Sequence, residues 1–114
     1  MAKKRLPDPL RRRHMVEQEM DAGRALQLAE AYLEEGRAME AVAFLVKAEA
    51  RERLAALREQ AVREGDAFLL RAVSTGLAEE FDAATWQALA EAARAAGKDR
   101  YAAEASRQAA RLED

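Results

Sequence analysis

The chain has 114 residues, with 19 Lys and Arg against 21 Asp and Glu, a net charge of −2 at pH 7; it is short enough to form one domain. Without cysteine it can build neither disulfides nor thiolate metal sites, and its one histidine, His14, leaves little for imidazole chemistry. Its apolar runs, such as Ala41–Val46, fall far short of the ~20 residues a membrane helix needs.

Lys3-Lys4-Arg5 opens like the charged part of a signal peptide, but Leu6-Pro7-Asp8-Pro9 stands where an apolar stretch belongs. A soluble, cytoplasmic protein is therefore expected. The charge is unevenly spread: residues 1–14 carry +5, so the remainder must carry −7. A basic, proline-containing arm precedes an acidic body. Composition favours helix, with 29 Ala, five Val and no Ile. Fifteen Arg against four Lys, with much Ala, is also what a GC-rich genome encodes, so the helical expectation rests on periodicity.

In chain order, Pro7 and Pro9 push Leu6 and Asp8 toward extended backbone, so residues 1–14 are expected to form a flexible arm or a strap, with a short helix over Arg11–Met20 as a further option. Asp21 is placed to cap a first helix, on which Ala25, Leu28, Ala29, Tyr32 and Leu33 recur at three- and four-residue spacing until Gly36. A second helix starts near Ala38 and presents Ala41, Val42, Leu45 and Ala48. Nothing between Glu49 and Arg53 forces a break, and a turn there is inferred from the pattern of the whole. The third helix runs to Glu64 with Leu54, Leu57, Ala61 and Val62 inward, and Gly65-Asp66 ends it and caps the next. Phe68, Leu69, Ala72 and Val73 line the fourth helix, which Gly76 follows. Asp82 caps a fifth, marked by Trp86, Leu89, Ala90 and Ala93 and ended by Gly97. The sixth, Asp99 to Leu112, buries Tyr101, Ala102, Ala105 and Ala109. Six helices and short links make three antiparallel α-hairpins.

Gly36, Gly65 and Gly97 are 29 and 32 residues apart, near the 34-residue period of the tetratricopeptide repeat (TPR). The first unit resembles that family through Leu28-Ala29, Tyr32, Gly36, Ala41 and Ala48, with Leu45 at the aromatic place. The third is similar through Trp86, Leu89-Ala90, Gly97, Ala102 and Ala109, and departs at Ala93 and Ser106. The middle unit keeps Leu57, Ala61 and Gly65, with Leu70 where Ala is usual, and no unit has the closing Pro. The resemblance covers about residues 22–112 and implies an all-α, TPR-like α–α superhelix over residues 15–114. In the family, small residues let paired helices touch and large ones fill the space between successive pairs.

No phosphate loop, His-Glu-x-x-His motif or nucleophile beside a base is present, so the chain is expected not to be an enzyme and to need no cofactor or metal. Glu34-Glu35 and Glu79-Glu80 read as solvated helix ends. One Glu stands six residues before each hairpin glycine: Glu30, Glu59 and Glu91. The resemblance implies that this place faces a concave groove, with Leu26, Leu33 and Arg94 as further lining. Leu26, Ala55 and Gln87, one turn earlier, supply no cation for a carboxylate clamp, so a basic peptide segment is the expected ligand. The expected function is a protein–protein interaction module or scaffold, able to self-associate if its first end stays uncovered. The alternative is a nucleic-acid-associated protein using Lys3, Lys4, Arg5, Arg11, Arg12 and Arg13 against phosphates. Against it, no aromatics are interleaved among those cations and the body is acidic.

Overall fold

The computed structural model describes residues 6–113 of the chain. Among them are seven helices and no strand: α1 (Pro9–Glu17), α2 (Ala22–Glu34), α3 (Ala38–Lys47), α4 (Arg51–Glu64), α5 (Ala67–Leu77), α6 (Ala83–Ala95) and α7 (Asp99–Glu113). The all-α class follows. No helix among the described residues is long and apolar enough to cross a membrane.

Four of these seven helix starts follow aspartates. The carboxylates of Asp21, Asp66 and Asp82 accept backbone N–H groups of the following turn, as the sequence predicts. Asp8 does the same for Arg11 at 2.9 Å, with Pro9 at the first helical position, where its missing N–H costs nothing. This starts α1 at Pro9, so the boundary drawn at residue 14 falls inside a helix. Six expected helices become seven.

The ends of α2 to α6 share one geometry. At Gly36, Gly65 and Gly97 the backbone turns left-handed, with φ of 72°, 70° and 73°. The next N–H then reaches back to close the helix, as in Arg37 N to Tyr32 O, Asp66 N to Ala61 O and Lys98 N to Ala93 O. The same closure occurs without glycine at Glu49 (φ 54°) and Ala78 (φ 51°), through Ala50 N to Leu45 O and Glu79 N to Ser74 O. The expectation that Gly76 ends its helix is corrected: α5 continues to Leu77, and Ala78 makes the turn.

The chain divides into two compact units, residues 1–53 and 54–114. In the first, the backbones of α2 and α3 run close together, because Ala25, Ala29 and Ala41, all 0% exposed, leave no side-chain bulk between them. Tyr32 and Phe44 stack at 5.7 Å in the same core. In the second, α6 and α7 approach as closely, with Ala90, Ala93, Ala102, Ala105 and Ala109 buried. Helices α4 and α5 do not come to that range over their length, while α5 does approach α6 and α7. The buried residues are Leu54, Leu57 and Ala61 of α4 and Ala67, Leu69, Leu70 and Val73 of α5, so bulky side chains outnumber alanines there. The middle pair is thus not a close hairpin. Phe68, expected inward, is 45% exposed and meets Tyr101 edge to face at 5.3 Å.

Candidate functional site

A hollow lies in the second unit, on adjoining faces of α4 and α6. It is an open trough of about 600 Å³. Ala55, Glu59 and Val62 line it from α4, spaced four and three residues apart on one helical face. Ala84 and Ala88 line it from α6, with Thr85 and the cap Asp82 at its end. Glu91 follows Ala88 by three residues, so it continues the same face of α6 one turn on.

Arg58 and Arg63 also border the trough. The Arg58 guanidinium is held within the protein: its carbon is 4.2 Å from the Phe81 ring centroid, and the head lies 3.4 Å from Thr85 Oγ1 and 4.0 Å from Glu79 Oε1. The Thr85 hydroxyl and N–H both donate to Asp82, at 2.7 and 2.9 Å, and hold its carboxyl below the ordinary value of 3.8. Glu59, Arg63 and Glu91 are exposed and form no ion pair among the described residues. They are the charges left free to meet a ligand.

The structure distributes the sequence-derived site residues unevenly. Glu59 lines the trough, and Glu91 stands one turn beyond its α6 lining. Glu30 lies in the first unit, where its carboxylate accepts from Arg53 Nη2 at 2.7 Å. Leu26 and Leu33 are half-buried on α2. Arg94 is exposed and donates to Ser106 Oγ on α7 at 3.3 Å. Of the basic arm, Lys3, Lys4 and Arg5 lie outside the described residues. Arg11 is exposed, Arg13 pairs with Glu17 one turn on, and Arg12 is drawn onto the helix pair behind it.

Arg12 is the feature that sequence reading missed. Its guanidinium carbon stands 5.5 Å from the Tyr32 centroid and 5.6 Å from that of Phe44. Its Nη2 donates to the backbone carbonyl of Glu40 at 2.7 Å. Burial raises the Tyr32 phenol above its usual pKa of 10.0, against the opposing pull of Arg12 and Arg37. Arg37 also lies over the Tyr32 ring, at 5.0 Å, and its bond to the Glu40 carboxylate lowers that group below its ordinary 4.5. The spacing of Arg12 and Met15, three residues apart on one face of α1, was the available signal: Met15 is the one buried residue of that helix. Among the described residues, no group of three or more carboxylates and histidines is gathered so as to hold a metal ion.

Comparison of the chain with protein-family models, curated proteins and solved structures finds no match.

Proposed function

We propose that the chain is a non-catalytic protein–protein interaction module of TPR-like helical repeats, and that the trough between α4 and α6 takes a basic peptide segment. The observation that carries this reading is the trough's make-up. Its apolar lining is small, from Ala55, Val62, Ala84 and Ala88, and Glu59 within it and Glu91 one turn beyond it on α6 remain unpaired. Arg58 is turned toward Phe81, Thr85 and Glu79, and the Glu79 carboxylate at 4.0 Å offsets part of its charge. A bound segment would set its cations toward Glu59 and Glu91 and away from Arg63.

The repeat reading is supported by the three glycine turns of one geometry at spacings of 29 and 32 residues, and by the alanines between α2 and α3 and between α6 and α7. It is strained at the middle unit, where Leu70 replaces alanine. Self-association through the chain's first end is a weaker part of the proposal, because Arg12 and Met15 of α1 already pack there. Nucleic-acid binding is weakened by the same contacts, which engage one of the arm's cations.

Exposed ion pairs contribute only ~0–1 kcal/mol each, so charge should tune affinity rather than create it. Calorimetric titration of the full chain with matched lysine-rich and glutamate-rich peptides tests the reading. The basic peptide should bind more tightly, Glu59→Gln with Glu91→Gln should weaken it several-fold, and Arg63→Gln should strengthen it. Equal binding of both peptides, or of neither, removes the proposal.

A further inference from the structure

The environment of Arg12 has the parts of a binding site. Two buried aromatic rings, a backbone carbonyl and a phenolic hydroxyl surround a planar cation, and a guanidinium offers the faces and donors to meet them. The fit is incomplete. Tyr32 is 0% exposed, yet its Oη has no hydrogen-bond partner, and neither does the buried Nε of Arg12. Buried polar atoms left unpaired are destabilising, so this cage holds its occupant with two bonds unmade.

The helix that delivers Arg12 contributes little else. Met15 is its one buried residue, Leu10 is 68% exposed, and α1 has no extended close backbone approach to any other helix. One further tie reaches its end, from Lys47 Nζ to Gln18 O at 2.5 Å. The links that hold α1 are thus a few side chains, with the guanidinium the most engaged of them.

We infer that Tyr32, Phe44 and the Glu40 carbonyl form a guanidinium-recognition site, occupied in cis by Arg12, and that an arginine-bearing segment of a partner protein displaces α1 from it. The ligand class follows from the geometry. An ammonium would keep the attraction to the rings but has no planar face to lay along them. A segment presenting arginine with a better-placed Nε would bond Tyr32 Oη at full geometry, which Arg12 approaches without achieving. This site belongs to the first unit and the proposed basic-peptide trough to the second, so either can fail without the other.

The test uses the full chain carrying Arg12→Ala, titrated with millimolar ethylguanidinium. Amide exchange along α1 should quicken at least tenfold, while α2 and α3 keep their protection. The Tyr32 ring resonances should move saturably in this variant and stay still in the parent chain, where the cage is filled. Arg12→Lys should leave α1 exchange fast. Unchanged α1 exchange, or no saturable shift at Tyr32, overturns the inference. If Arg12→Ala also loosens α2 and α3, the parent chain decides, titrated with an arginine-bearing peptide and with its lysine counterpart. Release of α1 protection by the arginine peptide alone supports the site; constant protection, or equal release by both, rejects it.

Discussion

Helix pairs α6–α7 and α4–α5 belong to one unit and are closed by turns of the same geometry, yet only the first pair brings its backbones together. The difference lies in the side chains between them. Five of the seven buried residues of α6 and α7 are alanines, whereas five of the seven in α4 and α5 are leucine or valine. The turn sets the reversal of the chain, and residue volume sets the separation. The two turns differ as well. A Cβ on Gly97 would meet nothing within 4 Å, but a Cβ on Gly65 would lie 2.6 Å from both the Cα and the N of Ala93. At that point Lys98 Nζ also donates to Glu64 O at 2.7 Å. The looser pair is therefore fastened at its turn, against α6.

Removing bulk from the wide pair should have the largest effect. Leu70 is fully buried, and Leu70→Ala should lower unfolding free energy by about 2–5 kcal/mol in chemical denaturation, because the site can collapse only partly. An effect below ~1 kcal/mol would mean that leucine volume does not hold this region open. Next come the turns. Gly65→Ala adds contact with the Ala93 backbone to the left-handed strain, for a loss of about 2–4 kcal/mol, whereas Gly97→Ala should cost only ~1. Equal losses at the two positions would dissolve the contrast between them.

A gain is expected at the other end of α5. Ala78 is left-handed without being glycine, so Ala78→Gly should raise stability by ~1 kcal/mol, read as a higher melting temperature. The smallest effect is electrostatic. Asp82 titrates below 3.8 in the folded chain, held there by the Thr85 hydroxyl and N–H. Its contribution is complete above that value and fades as the pH falls through the lower, folded one. The melting-temperature gap between the parent chain and Asp82→Ala should be constant at neutral pH and narrow below pH 3.8.

Helix existence was legible in the sequence, and so were the starts capped by Asp21, Asp66 and Asp82, since a capping carboxylate and a period of 3.6 act locally. The ends at Gly36, Gly65 and Gly97 were legible for the same reason. The turn after Lys47 came only from the pattern of the whole, and the one at Ala78 was missed, because each places an ordinary residue in the left-handed region and Gly76 drew attention away from Ala78. The site divides similarly. Glu59 and Glu91 could be placed on a helical face by spacing alone. The pairing of Glu30 with Arg53, and the choice of Arg12 from three successive arginines, depend on groups 23 and 28 residues away in the chain.

The close alanine contacts of α6 and α7 also bear on how the protein responds to temperature. A buried alanine returns little apolar surface to water on unfolding, and apolar exposure is what makes the heat capacity of unfolding large. The increment should fall below the usual ~12–15 cal/mol/K per residue. Stability should then vary gently over tens of degrees, with a broad thermal transition and little tendency to unfold in the cold.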